Sequence, residues 1–322
     1  MIRSPEPEQS PQGPTYEGRP LARPDDEVVD QGAGFDVATL LTRRRMLAFL
    51  GAGAGTLALA ACSDGSSSKS SSASTGASEA IDAATEEIPE ETNGPYPADG
   101  SNNVNILQES GIERSDITTS LDGGNRADGV PLTFTFKVTD MANANKPFTG
   151  AVVYLWQCDA QGRYSMYSEG VENETFLRGI QKVGRDGNAR FTTIVPGCYT
   201  GRWTHLHFEV YPDLASATDV KNAIATSQVA FPHKMLNDVY RRTEYSGSAK
   251  ALAQIGRIEN DNVFGDGYSL QMGTFTGDPD TGYRGSLAAA VDINTEPAAR
   301  PAGPDGPGGP GGSPGGQPPR RN

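Results

Sequence analysis

The sequence predicts an all-β protein, an antiparallel β-sandwich with a few short helices and long loops, and three observations predict it. Within Pro131–Val138, Leu132, Phe134, Phe136 and Val138 alternate with Thr133, Thr135 and Lys137, the period of a strand with one buried face. Further short runs, several rich in β-branched or aromatic residues, are divided by turn clusters such as Asp186-Gly187-Asn188 and Asp278-Pro279-Asp280. Helical candidates are too few to alternate with strands, which disfavours a parallel α/β sheet.

In chain order the strands are expected at 131–138, 151–157, 189–195, 205–211, 227–231, 268–274 and 286–293, the spacing of a sandwich. Helices are expected at 217–226 and 232–242, with a short one at 248–254. No internal repeat is evident.

Composition confines this core to part of the chain. The 322 residues include 39 Gly and 23 Pro and are only 36% hydrophobic, below the roughly 45–50% of a compact domain. Residues 1–35 are rich in Pro, Glu, Asp and Gly without apolar periodicity, and are expected to stay solvated. Arg43-Arg44-Arg45 stands directly before an apolar run from Met46 to Ala61, the layout of a charged n-region and an h-region. That run is shorter than the about 20 residues of a spanning helix, and the paired arginines resemble a twin-arginine export signal. Leu59-Ala60-Ala61-Cys62 resembles a bacterial lipobox, which makes Cys62 the expected lipidation site and membrane anchor on the outer face of the cell membrane. The expected organisation is therefore signal and disordered N-terminus at 1–62, a Ser/Ala-rich tether at 63–90, the sandwich at 91–296, and a disordered Pro/Gly-rich tail at 297–322. The net charge of −13, with no basic cluster, excludes nucleic acid as a partner.

Only three His and three Cys occur in the chain. Two of the histidines form His205-Leu206-His207 in an expected strand, where residues two apart share a face and both imidazoles reach one metal. That pair suits zinc, copper or iron alike. Glu209 continues the face as a carboxylate candidate, and the other donor-type residues are Tyr164, after Gly162-Arg163, and Tyr199, in Pro196-Gly197-Cys198-Tyr199. A free phenol titrates near pH 10, so phenolate ligation calls for a hard, highly charged ion such as Fe(III).

From about Glu91 to Ile293 the chain resembles the intradiol ring-cleavage dioxygenases, which include catechol 1,2-dioxygenases and protocatechuate 3,4-dioxygenases. The resemblance is carried by Glu91-Thr92-Asn93-Gly94-Pro95-Tyr96-Pro97, by Val153-Tyr154-Leu155-Trp156-Gln157-Cys158-Asp159 with Gly162-Arg163-Tyr164, and by Pro196-Gly197-Cys198-Tyr199. Arg202-Trp203-Thr204-His205-Leu206-His207-Phe208 and Ser227-Gln228-Val229-Ala230-Phe231-Pro232 complete it. It implies non-haem Fe(III) held by Tyr164, Tyr199, His205 and His207, with Tyr199 the ligand that a catechol displaces, and ring opening by O2 to a muconate-type dicarboxylate. It implies Arg202 as the residue that stabilises charge on the substrate ring, Gln228 as its assistant, and Tyr96 and Pro97 at the pocket mouth. The residues alone also allow Arg202 as a surface ion pair, Gln228 as a buried amide, Tyr96 as a packed aromatic and His233 as structural. The family's helical dimerisation segment has no counterpart here, and a homo-oligomer of another kind stays open. Cys158 and Cys198, each near a tyrosine, are expected to form a disulfide in an exported protein. The alternative to an enzyme is a non-catalytic binding lipoprotein on the same scaffold.

Overall fold

The computed structural model describes the backbone of residues 8–10, 13–16 and 19–20, together with residue 81 and residues 84–295. The chain divides into two compact units, 1–75 and 76–322. In the first, β1 (Glu8–Ser10), β2 (Gly13–Tyr16) and β3 (Arg19–Pro20) form an antiparallel meander. A solvated stretch was expected there; the short strands pair antiparallel instead, Ser10 with Gly13 and Tyr16 with Arg19. Cys62, the arginine run and the Pro/Gly-rich tail lie outside the described residues.

The second unit is the expected sandwich. Its strands are β4 (Pro131–Asp140), β5 (Lys146–Pro147), β6 (Val152–Trp156), β7 (Arg178–Lys182), β8 (Asn188–Ile194), β9 (His205–Tyr211), β10 (Ala225–Ala230), β11 (Thr274–Asp278) and β12 (Gly282–Val291). One sheet has the order β10-β9-β6-β7, and the other runs β11-β12-β4, with β8 and β5 on the far side of β4. All pairs in the two sheets are antiparallel except β4–β12, which is parallel. Such a pair needs a long crossover, and here residues 141–281 lie between its two strands. Between the sheets, Phe134, Phe136, Phe191, Leu206, Phe208 and Val210 share one core, with the Phe136 and Phe208 rings 4.7 Å apart. Burying each such ring contributes roughly 1.5–3 kcal/mol.

The sheet carrying β9 is covered on its outer face as well. Residues 98–112 lay Ala98, Ile106, Leu107 and Ile112 over Val152, Tyr154, Trp156, Ile180 and Tyr211. Every residue of β9 is therefore buried, Leu206, Phe208 and Val210 inward and His205, His207, Glu209 and Tyr211 on the covered outer face. The folded unit starts before the expected residue 91. Ile88 is buried and its N–H donates to the Ala290 carbonyl at 2.9 Å, because an apolar residue there finds an open place beside β12.

Three elements differ from expectation. Residues 217–226 are not a helix: Asp219 accepts a bond from the Lys221 N–H to start a single 3₁₀ turn at Val220–Asn222, and β10 follows in register with β9. The stretch 268–274 is a turn, with Met272 N–H bonded to the Tyr268 carbonyl, and its strand starts only at Thr274. β7 went unforeseen because Arg-Gly-Ile-Gln-Lys shows no alternation, although it pairs with β6 along all five residues. The helices at α1 (His233–Val239) and α2 (Ser248–Ile255) lie within a few residues of their expected positions.

Candidate metal centre

Two turns and one strand bring the candidate ligands together. In the first turn, Asp159 accepts bonds from the N–H groups of Gln161 and Arg163 and from Arg163 Nε, all at 2.9 Å, which coils the chain so that Tyr164 points inward. In the second, Gly197 lies so close to the first that a Cβ there would sit 2.5 Å from the Ala160 carbonyl. Only glycine lets the two tyrosine turns press against each other. β9 then delivers His205 and His207 from one face, and β6 sets Trp156 opposite His207.

The four expected ligand atoms converge. Tyr164 Oη lies 3.4 Å from Tyr199 Oη and 3.5 Å from His205 Nε2, and Tyr199 Oη lies 3.3 Å from His205 Nε2. His205 Nε2 and His207 Nε2 are 3.0 Å apart. His205 Nδ1–H donates to the Trp203 carbonyl at 2.5 Å, which leaves the lone pair on Nε2, facing the cluster. His207 has no partner at Nδ1; its ring is held by parallel stacking on Trp156 at 4.9 Å, and by Gly94, where a Cβ would come within 3.2 Å of it.

These donors fit a metal ion. Bonds of about 2.0–2.2 Å to one centre place adjacent donor atoms roughly 3 Å apart, the spacing observed. Among the described residues no group of three His, Cys, Asp or Glu could hold an ion, so the centre depends on its phenols. Burial, reinforced by Tyr199, pushes the Tyr164 phenol well up, and burial, opposed by Arg202, carries Tyr199 up to about 12. Burial, with Arg202 adding to it, lowers His205 to about 3, and burial with His205 holds His207 well below the ordinary imidazole value. Without a cation the four groups are neutral at pH 7; a multivalent cation would draw the protons off the phenols.

Solvent reaches this cluster from one side. Tyr164, His205 and His207 are buried, whereas Tyr199 and Arg202 are half-buried. Arg202 is an internal ion pair, not a surface one. Its Nε donates to Asp261 Oδ2 at 2.9 Å and an Nη to Gln228 Oε1 at 2.7 Å, while Gln228 Nε2 donates to the Thr92 carbonyl at 2.9 Å. Asp261, which holds Arg202, is the residue of this network that sequence reasoning missed. It lies 59 residues beyond Arg202 and no local pattern marks it. Tyr96 packs on Tyr164 at 5.0 Å and on Tyr167 at 5.3 Å, and the Pro97 carbonyl accepts from Tyr154 Oη at 2.7 Å, so this segment roofs the cluster.

Other expected residues lie elsewhere. Glu209 is not among the converging donors; it accepts a 2.6 Å bond from Tyr211 Oη. His233 is exposed at the start of α1, 5.6 Å from the Trp203 ring. The expected disulfide is not formed, and Cys158 and Cys198 are both free and buried. Each thiol turns to a carbonyl instead, Cys158 to Gly197 at 3.5 Å and Cys198 to Arg202 at 3.4 Å.

A family model described as Dioxygenase matches residues 106–226, a span that holds the four candidate ligands and Arg202. A 6-chlorohydroxyquinol 1,2-dioxygenase of Cupriavidus pinatubonensis is 37% identical over 107 residues, 28% of this chain and 38% of the relative. A catechol 1,2-dioxygenase of Acinetobacter lwoffii is 32% identical over 124 residues, 33% of this chain and 37% of the relative. The chain thus spans under two-fifths of the length of either curated relative. The crystal structure of a dioxygenase superposes with a TM-score of 0.51 at 24% identity, covering 67% of this chain and 97% of the other, and shows the shared fold. With its tyrosine and histidine motifs inside the matched span, the chain is similar to ring-cleaving dioxygenases over that part of its length.

Proposed function

We propose that this chain is a non-haem Fe(III) intradiol dioxygenase that opens catechol-type rings between the two hydroxylated carbons with O2, giving muconate-type dicarboxylates. The observation that carries the reading is the convergence of two phenols and two imidazoles at 3.0–3.5 Å. Tyr164, Tyr199, His205 and His207 would hold the ion, and two phenolates suit a hard trivalent one. Bound Fe(III) would supply a Lewis acid that favours the catecholate dianion and makes its ring reactive toward O2. The names of the two curated relatives support a hydroxylated aromatic substrate.

The protein's own groups have distinct parts. Tyr199, the candidate ligand nearest solvent, would be the one to make room for substrate, and the burial that pushes its phenol up to about 12 would suit its Oη to take a substrate proton. Arg202, held in place by Asp261 and Gln228, presents a fixed positive charge to the anionic ring. Tyr96 and Pro97 close the mouth against water.

The test is metal titration of the full chain, followed by visible absorption and proton release. Fe(III) is expected to develop a red-brown phenolate charge-transfer band, to release one proton from each of Tyr164 and Tyr199, and to bind more tightly as pH rises. Catechol added without O2 then shifts the band. Binding without colour or proton release, or failure to turn over any catechol in air, would reject the reading.

We further propose export through the twin-arginine-like segment and lipid anchoring at Cys62 to the outer face of the membrane; no helix among the described residues is long and apolar enough to span a bilayer. In a bacterial host the full chain is expected in the membrane fraction and the Cys62→Ala chain in the soluble one. Equal partitioning of the two rejects the anchor.

A further inference from the structure

Arg178 belongs to no motif, yet it opens β7 with a wholly buried side chain. All five of its N–H donors are used, and all on neutral oxygens. Nε donates to Ser165 Oγ at 3.0 Å, one Nη to the Pro97 carbonyl at 2.9 Å and Tyr154 Oη at 3.3 Å, the other to the Tyr96 and Ser165 carbonyls at 2.9 Å each. Its guanidinium carbon stands 5.4 Å from the centre of the Tyr167 ring, whose Oη accepts the Ala98 N–H at 2.9 Å. One side chain thus bonds both the roof at 96–97 and the residue next to Tyr164.

The backbone at each of these places is unusual. Ala98, Met166 and Leu177 have φ of +53°, +71° and +59°, three of the six non-glycine residues in the left-handed region among the described residues. They follow Pro97, follow Ser165 and precede Arg178, so the three segments that meet at the guanidinium are each bent against their preference. Such conformations persist only where their surroundings over-determine them. A fork with five donors in one plane can do this; an ammonium with three, on a flexible stem, cannot span the same acceptors.

We infer that Arg178 is a positioning residue that clamps the Tyr96–Pro97 roof to the Tyr164 turn, and so sets the height of the substrate slot above the metal ligands. Its kinetic consequence rests on the dioxygenase reading; the clamp itself does not.

The test is amide hydrogen exchange of the metal-free full chain, resolved by residue, for wild type, Arg178→Lys, Tyr154→Phe and Ser165→Ala. Arg178→Lys is expected to speed exchange about tenfold or more at Ala98, Tyr167 and Ser168 and to leave β9 unchanged. Tyr154→Phe loosens Ala98 alone, and Ser165→Ala loosens Tyr167 and Ser168 alone, because each removes one arm of the clamp. If Arg178→Lys does not fold, the two single-arm variants decide by that pattern. Faster exchange spread evenly through β9, or none at either segment, overturns the proposal. In iron-loaded enzyme Arg178→Lys is expected to raise the KM for catechol about tenfold with kcat within about threefold of wild type. An unchanged KM in an active enzyme overturns the clamp, whereas an inactive wild type with the exchange pattern intact overturns only the dioxygenase reading.

Discussion

Tyr199→Phe is expected to bind iron, keep its fold and lose ring cleavage by roughly 10²–10⁴-fold in kcat, the range seen when a positioned acid–base group is removed. The fold survives because the phenol supports little of it. Tyr199 is half-buried, and the contacts of its Oη, 3.4 Å to Tyr164 and 3.3 Å to His205, are long for hydrogen bonds. Iron stays because Tyr164, His205 and His207, all buried, remain as donors. Turnover falls because the variant lacks the phenol assigned to take the proton that a catechol must give up. Three measurements check this: a melt within a few degrees of wild type, near-stoichiometric iron, and a kcat lowered at unchanged iron content. Full turnover by Tyr199→Phe would remove Tyr199 from the mechanism and return the role of base to solvent. Tyr164→Phe makes a useful contrast. Its ring is buried between Tyr96 and Tyr199, so its loss is expected to show first as weaker iron binding.

Residues that act through short-range pattern were legible in the sequence. The alternation in Pro131–Val138 gave away β4, and a pair of histidines two apart on a strand could only share a face, as β9 shows. The tyrosine turns were readable because glycine and aspartate leave local marks, Gly197 by its close approach and Asp159 by its bonds to the following N–H groups. The groups that hold this machinery in place could not be read, since their partners are far along the chain. Arg178 reaches back 81 residues to Pro97, and Asp261 reaches back 59 to Arg202. A lone arginine in Phe-Leu-Arg-Gly-Ile, or an aspartate in a loop, looks like ordinary surface until the fold buries it. The disulfide expectation failed for the same reason, because proximity of Cys158 and Cys198 to the two tyrosines in sequence did not tell where the thiols point.

Asp261→Ala is expected to lower both stability and turnover more than any other substitution outside the ligand set. The carboxylate is buried and accepts three N–H groups besides the Arg202 Nε: Oδ2 takes the Trp203 N–H at 2.6 Å, and Oδ1 those of Val263 and Phe264 at 2.8 and 3.1 Å. Removing one partner of a buried ion pair costs about 3–5 kcal/mol, because the other charge is left unpaired. Here the stranded group is Arg202, which would swing on its remaining bond to Gln228 and cease to face the ring at a fixed angle. The pH dependence has a definite sign. Burial alone would raise the Asp261 pKa, but the Arg202 charge and the N–H donors outweigh it and hold it below the ordinary carboxylate value of 3.8. A group depressed in the folded state adds stability above its unfolded pKa and loses that stability as pH falls through the folded value. Wild type should therefore lose stability relative to Asp261→Asn as pH drops below about 4, the two curves converging toward acid. Asp261→Asn keeps the shape without the charge, so it is expected to fold at pH 7 with reduced stability, and to show a catechol kcat below wild type at near-normal iron content. Parallel melting curves for wild type and Asp261→Asn from pH 7 to pH 3 would mean that the carboxylate charge does not hold Arg202, and the arginine would then owe its orientation to Gln228 alone.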